Sequence, residues 1–217
     1  MLNTKFNADA RYFNQIHMPL LRLARGRPKR VLEIGCAAGQ SLIYFKQHGA
    51  EWVAGVELSP EVAERARARP EIDEIITGNI EDLELSYPAG SVDLIIASHV
   101  LEHTADPWAV LRKLRPLLRP QGRIIGTLPN IRHLSVLLPL LFLGRWRYEE
   151  AGILDWTHLR FFSRDTVVHL LQSTGFRVER VTPQIIGWKS TTFNVLTLGL
   201  LRNLCGFAYN FSAIRAD

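Results

Sequence analysis

Short apolar runs alternate with amphipathic stretches along most of the chain, at the spacing of strands and helices in an α/β protein. The apolar runs predict strands at residues 30–34, 52–57, 74–77, 91–98 and 123–128. The amphipathic stretches between them predict helices at 40–48, 61–69 and 107–118. Alternation of this kind is typical of a doubly wound sheet whose strands are mostly parallel.

The alternation of predicted strands and helices stops after residue 128. It resumes with a helix from Ser163 that ends before Gly175. A sixth strand at 176–183 and a helix at 192–204 follow. Residues 207–214 alternate apolar and polar side chains, which predicts a seventh strand. Because no full crossover helix layer separates it from the sixth strand, we expect this last strand to be antiparallel.

The chain divides into an N-terminal extension at 1–29 and one domain at 30–217. Apolar residues at helical spacing between 8 and 24 predict a helical extension, which Pro19 interrupts or kinks. Within the domain, the segment 129–162 is too long and too apolar for an ordinary connection between a strand and a helix. Such segments are usually lids or binding loops.

The composition is that of an ordinary globular protein, with 47% hydrophobic and 22% charged residues in 217. The net charge of +5 is concentrated in the arginines of 22–30. This run either attracts an acidic partner or, as we favour, forms a solvated linker. No basic stripe with interleaved aromatic residues is present, so nucleic acid is not expected as a partner.

Two cysteines, Cys36 and Cys205, fit a reducing compartment, and the N-terminus lacks the apolar core of a signal peptide. We therefore expect a cytoplasmic protein. Leu134–Leu143 is the most apolar run but is too short to span a bilayer. The run leaves peripheral membrane contact open.

Residues 31–39 combine a buried strand, a glycine turn and a helix start, the order used to bind nucleotides. A dinucleotide turn of the form G-x-G-x-x-G is excluded, because Ala37 and Gln40 occupy the second and third glycine positions. A P-loop is excluded as well, because no Gly-Lys-Ser/Thr follows.

The turn resembles the first motif of the class I S-adenosylmethionine-dependent methyltransferases, apart from Ala37 at the central glycine. Four further stretches resemble later motifs of that family, in the family's order: 55–60 ending strand two, 78–82 after strand three, 91–103 around strand four and 117–122 before strand five. Asn79 stands where an aspartate is typical. The resemblance is strong over residues 30–128.

The resemblance implies a Rossmann-like methyltransferase fold and S-adenosylmethionine as the cofactor, with S-adenosylhomocysteine as the product. The amino-acid end would lie on the glycine turn beside Glu33, the ribose on Glu57, and the adenine against Leu58, Asn79 and Ile80. The implied cofactor-binding residues are Glu33, Gly35, Cys36, Ala37, Gly39, Glu57, Leu58, Asn79, Ile80, Ser98 and His99. Cys36 is interpreted as a packing residue.

Residues 154–162 resemble a Leu-Asp-x-Thr-His-Leu-Arg-Phe-Phe segment of bacterial methyltransferases associated with glycosyltransferases and surface-sugar assembly. The resemblance implies a sugar or cell-envelope precursor as acceptor, with 129–162 as an acceptor-side lid. The alternative is a structural clamp, in which Asp155 pairs with Arg160 and His158 bonds to backbone. Arg145–Tyr148 would bind an anionic or sugar acceptor, or else be a solvated helix end.

Methyl transfer from a sulfonium is a direct displacement, so the enzyme mainly aligns the reactants and excludes water. A hydroxyl acceptor must also lose its proton, and histidine is the usual base near neutral pH. His158 is the first candidate, then His103, with His99 also in range. His103 alternatively packs beside the helix at Asp106. No metal is expected.

Two functions compete. The first is an active methyltransferase acting on a small molecule, and the second is a cofactor-binding or scaffold protein whose site is degenerate at Ala37 and Asn79. Methylation of DNA bases is disfavoured, because 98–101 lacks an Asn/Asp-Pro-Pro-Tyr-like motif. The acceptor atom and the oligomeric state are left open by the sequence.

Overall fold

Seven strands form a single sheet in the computed structural model, which describes residues 17–216. The strands are β1 (Arg30–Ile34), β2 (Trp52–Glu57), β3 (Glu74–Thr77), β4 (Val92–Ser98), β5 (Leu118–Pro129), β6 (Phe176–Ile185) and β7 (Gly206–Arg215). Their order across the sheet is β3-β2-β1-β4-β5-β7-β6. The first five strands pair in parallel, while β7 is antiparallel to both β5 and β6. The predicted fold, including the antiparallel last strand, is confirmed.

Helices cover both faces of the sheet. They are α1 (Met18–Leu21), α2 (Gln40–Gln47), α3 (Pro60–Arg67), α4 (Pro107–Leu114), α5 (Leu134–Leu143), α6 (Arg164–Ser173), α7 (Trp188–Leu196) and α8 (Arg202–Cys205). At the starts of α3, α4 and α6, the side chains of Ser59, Asp106 and Ser163 accept hydrogen bonds from backbone N–H groups in the first turn. These starts are the ones that the sequence indicated.

The core lies in two layers, one on each face of the sheet. Val31 packs with α1, α2 and α3 on one face, and Leu32 packs with α4 and α6 on the other. Neighbouring residues of a strand point to opposite faces, so both faces of β1 are buried. This explains why β1 reads as a continuous apolar run instead of an alternating one.

Two boundaries differ from the prediction near residue 118. Helix α4 ends at Leu114, and a 3₁₀ turn at Arg115–Leu117 leads straight into β5, which begins at Leu118. Pro116 lacks the N–H that a longer helix would need. Leu118 instead pairs with Val92 of β4, which makes β5 longer than expected.

The predicted helix at 192–204 is wrong. The segment is two helices, α7 and α8, separated where Leu198 and Gly199 adopt left-handed φ values of 49° and 76°. Its apolar side chains are mostly exposed and do not face the core. At the N-terminus, the described part of the extension holds only α1, which starts after His17 with Pro19 in its first turn. The remainder of the extension lies outside the described residues.

The sheet order reverses at β1, which has β2 on one side and β4 on the other. The connections that leave β1 and β4 therefore run to opposite sides and leave a crevice at the carboxyl ends of these strands. Ligands of doubly wound folds bind in that crevice. The predicted cofactor residues lie there.

Gly126 of β5 offers a test of how tightly the sheet is packed. A Cβ at this position would overlap the Ala97 carbonyl oxygen and the Phe211 ring. We expect Gly126→Ala to lower the free energy of unfolding by about 2–3 kcal/mol in urea denaturation. Gly49→Ala is the control, because a Cβ there meets nothing within 4 Å and only its φ of 95° is strained, for about 1 kcal/mol. Equal losses in the two variants would contradict the packing argument.

Candidate active site

The turn after β1 is built from left-handed residues. Gly35, Ala37 and Gly39 have φ values of 68°, 48° and 78°. Ala37, which replaces the family's central glycine, thus keeps a conformation typical of glycine, at a cost of roughly 1–2 kcal/mol. Cys36 is buried, and its side chain fills the space where a Cβ on Gly55 would lie. The packing role expected of Cys36 agrees with this position.

Glu57 joins the two turns that border the crevice. Its Oε2 accepts a hydrogen bond from the Ala37 N–H, and its Oε1 accepts one from the Ser59 N–H, both at 2.9 Å. The carboxylate is buried and held by both contacts. Each oxygen has a second lone pair, so the group can still accept two ligand hydroxyls. This geometry can accept a ligand with two neighbouring hydroxyls.

Glu33 is a buried carboxyl with an unfilled acceptor. Burial raises the pKa of Glu33 to about 8, the Ser41 hydroxyl bond opposes this shift, and the nearby Glu57 charge adds to it. Among the described residues, its Oε2 has no hydrogen-bond partner. A buried polar atom without a partner needs an explanation. A cationic ligand group such as an ammonium satisfies it.

The loops after β2 and β3 carry an exposed apolar side chain and an amide. Leu58 is a large apolar side chain left 59% exposed beside Glu57. Asn79 Oδ1 accepts a hydrogen bond from the Glu81 N–H at 3.0 Å, which leaves the amide nitrogen as the donor for a ligand. Lys113, which no sequence motif indicated, donates from Nζ to the carbonyl oxygens of Ile80, Glu81 and Leu83 and fixes the loop after β3.

At the end of β4, His99 adopts a φ of 54°, and its N–H donates to the Thr127 carbonyl. Ser98 pairs with Thr127 in the sheet. The ring Nδ1 of His99 lies 3.0 Å from Oε1 of Glu102. Glu102 is fully buried, and its Oε2 has no partner within residues 17–216. Glu102 was not predicted as a site residue.

The two predicted catalytic histidines lie side by side. The rings of His103 and His158 are 4.8 Å apart between centroids. Nδ1 of His103 faces the Thr157 carbonyl at 3.2 Å, and Nδ1 of His158 faces the Ile153 carbonyl at 2.9 Å. A nitrogen that donates to a carbonyl leaves the Nε2 of each ring as an acceptor.

Glu102 completes a cluster with these histidines. One ligand atom from each of Glu102, His103 and His158 lies within 4.8 Å of the other two. Such a group can accept a proton or hold a divalent cation. Partial burial lowers the pKa of His103, and the neighbouring Glu102 carboxylate partly opposes that shift. The His103 side chain is exposed, whereas His158 is only 8% exposed.

The acceptor-side segment is fastened to the loop after β4. The N–H groups of Leu159 and Arg160 both donate to the Glu102 carbonyl, and the Arg160 guanidinium donates to the Ala105 carbonyl. Asp155 accepts hydrogen bonds from Thr157. The segment thus has the backbone contacts of a clamp, and it also places His158 beside His103.

Exposed aromatic rings line the same segment. Tyr148 and Trp156 stack at 5.6 Å, and Trp146 meets Phe161 edge to face at 5.3 Å. Phe162, in contrast, is buried in the core. Trp146, Tyr148 and Trp156 are the most exposed of this group, at 38%, 43% and 63%.

A doubly wound sheet with a left-handed turn after β1 and a carboxylate after β2 defines a nucleotide-binding α/β enzyme domain. Comparison with known families makes the class specific. The family described as "Methyltransferase domain" matches residues 8–181, and the chain belongs to this family. The family predicted from the motifs is confirmed, and with it the enzyme class and S-adenosylmethionine as the cofactor.

Named relatives and solved structures agree with that family. The chain is 25% identical over 181 residues to a ubiquinone biosynthesis O-methyltransferase of Neisseria meningitidis, covering 79% of this chain and 70% of the relative. It is 34% identical over 99 residues to the 27-O-demethylrifamycin SV methyltransferase of Amycolatopsis mediterranei, covering 44% of this chain but only 36% of that relative. An S-adenosylmethionine-dependent methyltransferase of Mesorhizobium loti shares the fold, with a TM-score of 0.67, 23% identity and coverage of 91% and 96% of the two chains.

Because the pKa of Glu33 is raised, replacing its carboxyl group should stabilise the folded protein, and the gain should increase with pH. The folded pKa lies above the usual 4.5, so burying the charged form destabilises the protein increasingly between about pH 4.5 and 8. We expect Glu33→Gln to unfold like the native protein near pH 4.5 and to be more stable by a few kcal/mol at pH 8.5. Urea titrations across this range measure the difference.

The exposed Glu84→Gln serves as control for the loss of a carboxylate. Its free energy of unfolding should stay within about 0.5 kcal/mol of the native value at every pH. If Glu33→Gln is no more stable than the native protein at pH 8.5, then ionisation of the buried Glu33 carboxyl does not destabilise the fold, which contradicts the prediction.

Proposed function

We propose that the protein transfers the methyl group of S-adenosylmethionine to a hydroxyl group of a small molecule. The observation that carries this proposal is the pair of carboxylates at the carboxyl ends of β1 and β2. Glu57 is held by two backbone N–H groups with two lone pairs left over, and Glu33 keeps one buried oxygen without a partner. A ligand with two vicinal hydroxyls and an ammonium group matches both.

Each part of the cofactor has a group to meet. The ribose would lie on Glu57, the ammonium by Glu33, and the adenine against Leu58 with Asn79 and Ile80 at its edge. The bound cofactor supplies an electrophilic methyl group. The replacements at Ala37 and Asn79, which suggested a degenerate site, keep the turn conformation and an available donor. Both observations favour an active enzyme over a scaffold.

An oxygen acceptor is supported by the cluster after β4 and by the relatives. The names of both relatives refer to methylation at oxygen: one is an O-methyltransferase, and the other is named as the methyltransferase of an O-demethylated rifamycin. Removal of the hydroxyl proton needs a base close to the reacting carbon. His103 is the base that we propose, because it keeps solvent access and its Nδ1 is oriented by the Thr157 carbonyl. His158 and Glu102 lie behind it and position its ring.

The acceptor class is a ring-bearing molecule such as a sugar or a cell-envelope precursor. The exposed rings of Trp146, Tyr148 and Trp156 offer stacking faces for a sugar or aromatic ring. Arg145 and Arg147 lie next to them and suit an anionic group on the same molecule.

The cofactor assignment predicts a loss of affinity in Glu57→Gln. Replacing one carboxylate oxygen with an amide removes an acceptor for the ribose, and hydrogen bonds to charged groups contribute about 1.5–3 kcal/mol. We expect calorimetry to show a dissociation constant for S-adenosylmethionine about 10- to 100-fold higher than in the native protein. Glu84→Gln should bind like the native protein. Absence of cofactor binding to the native protein itself would exclude both the enzyme and the scaffold.

The base assignment predicts a loss of turnover without a loss of cofactor. S-adenosylhomocysteine release is measured with a panel of phenols, catechols and sugars. On any accepted compound, His103→Gln should lower kcat about 10²- to 10⁴-fold while the dissociation constant for S-adenosylmethionine stays within about threefold. His169→Gln, on α6, is the matched control.

Three outcomes would redirect the proposal. Full kcat in His103→Gln, with a loss in His158→Gln or His99→Gln, would move the base to the neighbouring ring. Loss of turnover on adding EDTA, with recovery on adding Mg²⁺, would show that the cluster acts through a cation. Cofactor binding without product from any acceptor would favour the scaffold.

A further inference from the structure

Large exposed apolar side chains are concentrated in two segments of the chain. Within residues 17–216, every such side chain except Leu58 lies at 138–159 or at 186–201. The values reach 73% exposure for Phe142 and Trp188 and 89% for Leu198. Scattered exposed leucines are normal in soluble domains, but contiguous apolar surface of this kind marks an interaction site.

Helix α5 is apolar around its whole circumference near its C-terminal end. Leu140, Leu141, Phe142 and Leu143 are successive residues, and each is at least 40% exposed. Successive residues of a helix point about 100° apart, so these four side chains face almost every direction. A flat protein partner would cover one stripe of such a helix, whereas a lipid phase surrounds all of it. Only Val136 of α5 is buried against the domain.

The charges next to α5 and next to the α7–α8 part of the second segment are all basic. Residues 130–148 contain Arg132, Arg145 and Arg147 and no acidic residue. Residues 180–216 contain two lysine or arginine residues near the apolar side chains, Lys189 and Arg202, and again no acid. Lys189 Nζ lies 5.7 Å from the ring centre of Trp188, a Trp and Lys pairing that suits the bilayer interface. Glu149, Glu150 and Asp155 lie further along the first segment, near Trp156 and Leu159 and beyond the end of α5.

The two segments leave the domain at one place. Nδ2 of Asn130, next to the end of β5, donates to the carbonyls of Asn203 and Gly206 at 2.8 and 2.7 Å. His133 at the start of α5 reaches Ser190 of α7, with 3.4 Å between Nε2 and Oγ. The two segments therefore start from one place on the domain, and we refer to their exposed apolar side chains together as the α5/α7 surface.

We propose that the α5/α7 surface docks the protein on an anionic lipid bilayer, with the end of α5 and the α7–α8 connection immersed and the basic residues at the headgroups. No helix within residues 17–216 is long and apolar enough to cross a membrane, so the contact is with one leaflet. Apolar burial and attraction between basic residues and anionic lipids together give stable interfacial binding. Docking does not depend on the proposed methyl transfer, and it is measured without cofactor or acceptor.

The experiment is vesicle flotation of the full chain. The vesicles are pure phosphatidylcholine or phosphatidylcholine with roughly 30% phosphatidylglycerol. We expect binding to the anionic vesicles, at least about fivefold less to the neutral ones, and a decrease with added salt. The double variants Leu141→Ser with Phe142→Ser, and Leu198→Ser with Leu200→Ser, should each reduce the bound fraction about tenfold or more. All four side chains are exposed, so the variants should fold, which circular dichroism checks.

Charge variants provide the matched control. Lys189→Gln with Arg202→Gln should weaken binding to anionic vesicles, whereas Arg69→Gln with Arg112→Gln, which removes the same charge elsewhere on the surface, should not. The proposal is overturned if the native protein does not bind anionic vesicles, or if the serine variants bind these vesicles as well as the native protein does. It is also overturned if light scattering shows a dimer that the serine variants dissociate, because the surface would then be covered by a second copy.

Discussion

A single carboxylate determines the geometry of the proposed cofactor site. Glu57 accepts hydrogen bonds from Ala37 in the turn after β1 and from Ser59 in the turn after β2. Two loops that begin on different strands are therefore held in one relative position. The left-handed conformation of Ala37 is tolerated within this arrangement, because its N–H is directed at Glu57 and the strain of an L-residue is offset by that bond.

The parts of the fold that the sequence predicted are those whose signals are local. A continuous apolar run predicts a buried parallel strand, as in β1. A capping residue predicts the start of a helix, as at Ser59 and Ser163. The proposed cofactor residues follow from motifs that are also local in the sequence, since each residue lies at or just after the carboxyl end of a strand. Parallel topology then brings these strand ends together without further information.

The parts that escaped prediction depend on contacts between distant segments. In the sequence, Glu102 follows β4 and resembles an acid at the start of a helix. Its place in a cluster with His103 and His158 depends on the segment around residue 159, which folds against the Glu102 carbonyl. The break between α7 and α8 has a related cause. Apolar periodicity at 192–204 predicted one helix, but most of those side chains are exposed and do not pack on the core, so the pattern marks an apolar surface.

The position of β7 has a consequence for how the protein forms. β7 follows all other strands in the sequence, yet it lies inside the sheet, and β6 meets the rest of the sheet only through it. During synthesis, β5 therefore remains an open edge and β6 has no strand partner until residues 206–215 have been made. An open apolar edge is prone to association with other chains. A ribosome-bound nascent chain can thus complete the nucleotide crevice, formed by β1 to β4, well before it can close the sheet.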